Sequence, residues 1–420
     1  MIEFHIRRVV LPVLVMALAA AGSGAARAGG SSEYLVPLTS NTSSALDWRI
    51  TPGLQFNSVP ALDATVKLSW ANAGSDYTCS GSLLAGGAYI LTAAHCADGL
   101  GSATLAVNFG FSNGSAALTR TATAADVTLN PLWRGFGRSA DAGTDLALIK
   151  LSEPVAGIAG YHLSPTSDFG KTVLMAGFGN TGSGDSATAP GNGDAGYGHF
   201  AFNRIDVDSR TFNLAMNAAV PIWDADPDFY TGTTYMYDFD DASNPNARNT
   251  LQRVADISGN AWRSDAGVNG EGLIASGDSG GGDFVWNGSE WLLSAVHSWG
   301  WQGNSDDGTG LCDFLAMTDC SPLTGNSSSY GDLSGSTAVF DQTAWIASVV
   351  GEQVLAVPEP TRLVLSLAGL IALLGVRQLK SSLTRGVAEV EEDRHPRRQG
   401  AFAAKAPSLG LRRLDRARQC

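Results

Sequence analysis

The sequence predicts an antiparallel all-β protein, and three observations carry that prediction. Glycine is abundant, at 50 of 420 residues, while charged residues make up only 16%. That balance suits a β-rich, loop-rich domain better than a helical bundle or a disordered chain. Apolar residues come in short runs, several of them alternating with polar ones. Clusters of Gly, Ser, Asn and Asp separate the runs and read as turns. No fixed-period repeat is present, which argues against a solenoid or propeller.

Taken in chain order, residues 1–28 have the layout of a secretory signal peptide. Arg7 and Arg8 precede an apolar run from Val9 to Ala21, and small residues lead to Ala26-Arg27-Ala28. Charge, a short greasy core and an A-x-A site together predict export, with cleavage after Ala28. Strands are expected at Thr65–Trp70, Ala88–Thr92, Leu146–Leu151, Val173–Ala176 and Trp291–Val296. Near the end of the body, Asp341 is expected to cap a short helix whose apolar side includes Trp345, Ile346 and Val349.

Val357-Pro358-Glu359-Pro360 then precedes an apolar segment, Leu363 to Val376, followed by Arg377 and Lys380. As a helix, that segment would rise only about 21 Å, short of a ~30 Å hydrocarbon core. Its layout resembles the PEP-CTERM sorting signal. The resemblance implies transient attachment to a membrane through 353–380 and processing by an exosortase-type enzyme. The chain continues well past the basic cluster, unlike that family, so 381–420 is expected to be a basic tail, disordered or removed. A plain membrane anchor with a basic cytoplasmic tail is the competing reading of the same residues.

Charge is unevenly placed. Between Gly29 and Val376 stand 13 Lys and Arg against 34 Asp and Glu, a net charge near −21. Such a body stays soluble and repels nucleic acid. Five cysteines in an exported chain suggest two disulfides and one left over. Cys79 with Cys96, and Cys312 with Cys320, form the economical pairing, and Cys420 lies beyond the sorting segment.

Three segments carry chemistry. In Leu91-Thr92-Ala93-Ala94-His95-Cys96, apolar residues leave a strand for a tight turn that presents an imidazole beside a cysteine. In Thr144-Asp145-Leu146-Ala147-Leu148-Ile149-Lys150-Leu151, a carboxylate heads an alternating strand. In Gly277-Asp278-Ser279-Gly280-Gly281-Gly282, a serine ringed by glycines can have its N–H groups turned toward one point, as an oxyanion hole requires. A serine nucleophile needs a base to take its proton and a carboxylate to orient that base. Gly277 to Gly281 also satisfies G-x-S-x-G, but that elbow belongs to a fold with the order Ser, acid, His. Here only His297 and His395 follow Ser279.

Together these segments resemble the trypsin-like (chymotrypsin-fold) serine peptidases, whose T-A-A-H-C, D-[IL]-A-L and G-D-S-G-G patterns all stand here in order. Cys79-Ser80-Gly81-Ser82, Gly177-Phe178-Gly179-Asn180-Thr181 and Ser298-Trp299-Gly300 agree with secondary patterns of that family. The resemblance runs from about Ile50 to Val350, with an enlarged stretch at about 181–274. It implies two antiparallel six-stranded β-barrels with the active site between them, a short C-terminal helix and a peptidase domain over 50–352. The catalytic residues implied are His95, Asp145 and Ser279, with Gly277 and Ser279 as the oxyanion hole. Cys79–Cys96 would be the disulfide of the histidine loop.

The same resemblance makes 29–49 a propeptide. Cleavage after Arg49 would free the Ile50 amine to pair with Asp278, although Thr51 and Pro52 depart from the family's pattern; constitutive activity with a structural Asp278 is the alternative. Ser298, Trp299 and Gly300 would form the edge that binds substrate. Leu273, not an acid, stands where primary specificity is set, so an apolar preference is expected over Arg or Lys. Ala275 replaces a family cysteine, and its partner region has Asn304. The substrates implied are polypeptides and no cofactor is implied. Asp224, Asp226, Asp228, Asp238, Asp240 and Asp241 in the enlarged stretch could bind Ca²⁺, or could form an ordinary acidic loop. A catalytically silent binding protein on the same fold is the rival from another class.

Overall fold

The structure is a computed structural model. It describes residues 48–356 apart from 183, 185–193, 195, 222, 242–247, 260–261, 265–266, 302–309, 312–314 and 316–327. All described residues belong to one compact unit that ends at Ala356. The expected signal peptide, the sorting segment, the basic tail, the Cys312–Cys320 bridge, Asn304 and Cys420 lie outside them, as does all but the end of the propeptide. No helix among the described residues is long and apolar enough to cross a membrane.

After a two-stranded hairpin, β1 (Gln55–Phe56) and β2 (Val59–Pro60), the chain builds one antiparallel sheet from seven strands. They are β3 (Thr65–Asn72), β4 (Ser75–Leu83), β5 (Tyr89–Thr92), β6 (Leu105–Phe109), β7 (Leu118–Ala122), β8 (Val127–Leu129) and β9 (Ala147–Lys150). Their order is β7-β6-β3-β4-β5-β9-β8. The second sheet comprises β10 (Thr172–Gly177), β11 (His199–Arg204), β12 (Val207–Asp208), β13 (Thr234–Asp238), β14 (Gly282–Trp286), β15 (Trp291–Trp301) and β16 (Leu333–Ala338). Its order is β11-β10-β14-β15-β16-β13-β12.

Seven strands each, against six expected, is a difference of bookkeeping with a physical cause. The two edges of each sheet are consecutive in the chain. A 3-10 turn at Ala124–Asp126, closed by reciprocal bonds between Thr123 and Asp126, separates β7 from β8. Ile205 and Asp206 separate β11 from β12. One strand of each sheet therefore changes partner across a short break, and six runs of chain curl each sheet round on itself. Along β6 the residues Leu105, Val107 and Phe109 are buried while Ala106 and Asn108 are half-buried, the period-2 pattern of a strand with one face in the core.

Within this mostly β fold, the described residues of the enlarged stretch add two helices between the barrel strands. Among the described residues the earlier helical segments are single turns, α1 (Ala94–Ala97) and α2 (Phe136–Ser139). Helix α3 (Ser209–Ala219) starts where the Asp208 carboxylate accepts the Thr211 N–H at 2.8 Å, and α4 (Thr250–Ile257) where Asn249 accepts the Gln252 N–H. Phe212 and Met216 of α3, with Leu251, Val254 and Ala255 of α4, form one apolar cluster with Trp262, Trp299 and Trp301. The insertion thus packs against the end of β15. Helix α5 (Thr343–Val350) ends the body, but Gln342, not Asp341, is its N-cap residue. Ile346 and Val350 are buried, with Trp345 and Val349 packed at the margin.

Of the six insertion aspartates, Asp226 and Asp228 stand at a 3-10 turn on the surface. Asp238, Asp240 and Glu271 are buried, with the half-buried Asp206 close by. Glu271 accepts the Asp240 N–H at 2.6 Å, and Asp238 accepts the Leu251 N–H at 2.8 Å. Burial raises all four of these carboxyl groups above the ordinary range, and neighbouring carboxylate charges add to the rise at Asp206, Asp240 and Glu271. A carboxyl raised in the folded state holds a proton that the unfolded chain has released. Stability is therefore lost as pH climbs above the ordinary carboxylate range. Thermal melts should show the melting temperature falling between about pH 5 and about pH 9, with a shallower fall in Asp240→Asn. Equal slopes in the two proteins would refute this assignment.

Candidate active site

His95 sits in α1, a single turn that follows β5. Its position is stapled by the Cys79–Cys96 disulfide, which ties this turn to β4. Asp145 lies two residues before β9 with no exposed side-chain surface. Because β5 and β9 pair side by side, the residues at their ends converge. His95 Nδ1 lies 2.7 Å from Asp145 Oδ2, and the His95 main-chain N–H donates to Oδ1 at 2.9 Å. The carboxylate therefore fixes both the ring and the turn that carries it. Phe136 meets the imidazole edge-on at 5.1 Å.

A third donor reaches the same carboxylate from the other barrel. Ser298 Oγ donates to Asp145 Oδ2 at 2.6 Å. The β15–β16 ladder shifts register between His297 and Trp299, and such an irregularity redirects a side chain without ending the strand. The sequence reading gave Ser298 only a backbone role toward substrate, and this use of its hydroxyl was missed.

Ser279 reaches the same corner through its main chain. Ser80 on β4 donates its N–H to the Ser279 carbonyl at 2.8 Å. Its hydroxyl donates to the Gly277 carbonyl at 3.0 Å and accepts the Phe178 N–H at 2.9 Å. The Ser279 carbonyl oxygen is 3.5 Å from Cys96 Sγ, and that sulfur is 3.7 Å from His95 Nε2. The half-buried Ser279 hydroxyl makes no hydrogen bond among the described residues, to His95 Nε2 or otherwise. Catalytic contacts are often long before substrate arrives. Ser80 is a second residue that was missed, although Cys79-Ser80-Gly81-Ser82 had marked its segment.

The turn around Ser279 depends on glycine. Gly277 and Gly280 have φ of +95° and +82°. A Cβ on Gly280 would stand 2.0 Å from Thr92 Oγ1 and 2.4 Å from the Ser80 carbonyl oxygen. In this turn Asp278 N–H bonds Ala275, Gly280 N–H bonds His297, and Gly281 N–H bonds Asp278. The Gly277 and Ser279 N–H groups have no acceptor among the described residues. Two unengaged donors beside a serine hydroxyl are what a developing oxyanion requires.

The other expected site residues fall in different places. Leu273 is fully buried among Val173, Met175, Tyr237 and Val285. Trp299 is buried against Gly335, where a Cβ would meet its ring at 2.2 Å, and Gly300 pairs with Ser334. Arg49 pairs with Asp194 and stacks on Tyr197 at 3.6 Å. The Ile50 N–H donates to the Gly198 carbonyl at 2.7 Å. The buried Asp278 carboxylate accepts the Gly179 and Ala275 N–H groups at 2.7 and 2.9 Å. In this uncleaved chain, Ile50 and Asp278 are not joined. Among the described residues one group has metal-ligand geometry, Cys79, His95 and Cys96, and its sulfurs are already joined as the disulfide.

Residues 57–193 match the trypsin family model. The match takes in His95 and Asp145, and Ser279 lies beyond it. A solved collagenase (the HL collagenase) is 16% identical, with a TM-score of 0.41, and the alignment covers 72% of this chain and 97% of that one. No curated protein matches the sequence.

The Ser298 hydroxyl generates a prediction of its own. A hydrogen bond to a charged acceptor contributes about 1.5–3 kcal/mol, and each ~1.4 kcal/mol is a factor of ten in rate. Ser298→Ala should slow reaction of Ser279 with a fluorophosphonate about tenfold or more, read as the second-order labelling rate. An unchanged rate would show that the contact does not support the His95–Asp145 pair.

Proposed function

We propose that the chain is an exported serine endopeptidase that cleaves peptide bonds through an acyl-enzyme at Ser279. The observation that carries this reading is the buried Asp145–His95 pair, with the Ser279 turn and its two unengaged N–H groups held beside it. The trypsin match over the half of the domain that carries His95 and Asp145 supports it. His95, with its Nδ1 held by Asp145, acts as general base through Nε2. Ser279 Oγ gives up its proton to that nitrogen and attacks the scissile carbonyl. The oxygen, now negative, is received by Gly277 and Ser279 N–H. Protonated His95 then delivers its proton to the leaving amine, and water repeats the sequence in reverse roles to release the acid.

Export rests on the layout of residues 1–28 and on the disulfide beside the histidine, which suits an oxidising compartment. Sorting through 353–380 by an exosortase-type enzyme rests on the Pro-Glu-Pro segment alone. A preference for apolar side chains rests on Leu273, since a cationic side chain enclosed there would lack a partner.

Two measurements test these points. A fluorophosphonate probe should label the full chain, and Ser279→Ala should abolish both labelling and peptide hydrolysis. An active Ser279→Ala protein would end the reading. On a peptide library, cleavage should follow apolar residues, and strict cleavage after Arg or Lys would overturn the assignment of Leu273.

A further inference from the structure

Behind the Ser279 turn lies a second buried histidine–aspartate pair, and it rests on residues outside the proposed triad. His297 on β15 is 1% exposed. It touches the turn at three points. Its main-chain carbonyl accepts the Gly280 N–H at 2.8 Å, and its N–H donates to the Gly281 carbonyl at 2.9 Å. Its ring Nδ1 lies 3.2 Å from the Asp278 carbonyl oxygen. A Cβ on Gly281 would stand 2.8 Å from that Nδ1, so the ring fills the space the glycine leaves.

The partners of the two ring nitrogens decide the protonation state. Nε2 lies 2.8 Å from Asp283 Oδ1 on β14, and the other Asp283 oxygen accepts the Tyr237 hydroxyl at 2.8 Å from β13. A carbonyl oxygen and an ionised carboxylate accept hydrogen bonds and offer none. A neutral imidazole has one N–H and one lone pair, so it would set a lone pair against one of these oxygens. Only the imidazolium satisfies both contacts. The groups facing the ring are Asp278 from the turn and Asp283 from β14, with Tyr237 behind Asp283; β16 presents Ser336 opposite. Burial opposes a charged imidazole here, but the charge and hydrogen bond of Asp283 and the charge of Asp278 outweigh it, so His297 titrates above the ordinary histidine value. Burial pushes the Asp278 carboxyl up to about 6, and the charge of His297 is the first influence that opposes this shift.

Resting on the serine peptidase reading, we infer that His297 is a positioning residue. It is a buried imidazolium, held by Asp283, that braces the Asp278–Gly281 turn and supplies the cation facing Asp278 in the chain uncleaved at Arg49–Ile50. Deprotonation would turn a lone pair toward the Asp278 carbonyl and loosen the turn that aims the Gly277 and Ser279 N–H groups. The sign follows: a histidine raised in the working state does its part below its raised pKa and loses it as pH increases through that value.

Two measurements on the full chain test this. The first is the pH profile of kcat/KM. Wild type should show an alkaline limb, and Asp283→Asn should move that limb down by about one pH unit or more, because an opposite charge at this range shifts a pKa by about 1–3. His297→Gln should lower kcat/KM at least tenfold and remove the limb. A limb at the same pH in Asp283→Asn overturns the inference. The second measurement needs neither activity nor a rebuilt pocket: ¹⁵N NMR of the imidazoles in Ser279→Ala at about pH 7.5. Two protonated nitrogens on His297 are expected, and a neutral ring overturns the inference even if a variant at 283 or 297 fails to fold. Absence of fluorophosphonate labelling in wild type would instead count against the peptidase reading, and the NMR result would still decide the charge.

Discussion

A single buried carboxylate ties the site together. Asp145 has no exposed side-chain surface, and a charge taken out of water must have its oxygens occupied by donors. It has three: the His95 ring, the His95 main-chain N–H and the Ser298 hydroxyl, at 2.7, 2.9 and 2.6 Å. Two come from the first barrel and one from the second. The need to satisfy one anion therefore fixes the histidine's orientation and docks β15 against the loop that carries Asp145. Removing any donor leaves a buried lone pair of the anion unsatisfied.

Ser80 plays the corresponding part for the Ser279 turn. Its N–H and hydroxyl hold the carbonyls of Ser279 and Gly277, and Thr92 Oγ1 in turn donates to the Ser80 carbonyl at 2.7 Å. The serine and histidine turns thus share a common wall made of β4 and β5. Glycine at 280 is what lets that wall come so close. The aromatic edge at Trp299 and Trp301 is supported from outside by α3 and α4. The insertion is therefore part of the packing around the end of β15, not an appendage.

The strands were legible because their signal is local. Short apolar runs at 65–68, 89–92 and 147–150 stand out in the sequence, and most of those residues are buried. The His95–Asp145 pair and the Ser279 turn were legible because each sits in a short, dense motif. Ser298 and Ser80 were not, because their hydroxyls act on residues 153 and 197 positions away, and nothing near them in sequence announces the partner. Helices α3 and α4 were missed for another reason. Their apolar residues cover only one narrow face, and Gly- and Asp-rich flanks gave the stretch the look of a loop. Asp341 had the chemistry of a cap, but the helix begins one residue later and Gln342 is the N-cap.

The two histidine–aspartate pairs flanking Ser279 show why residue identity alone does not assign chemistry. In both, a carboxylate oxygen lies within 2.8 Å of a ring nitrogen. His95 keeps 15% of its side chain exposed, and among the described residues its Nε2 has a disulfide sulfur as its one polar neighbour. That nitrogen can take a proton and give it back. His297 is enclosed, with acceptors at both nitrogens. It has no vacant lone pair for a substrate proton, and holding its charge is all its surroundings permit. One pair is built to exchange a proton and the other to retain one, and the difference lies in whether the second nitrogen is already spoken for.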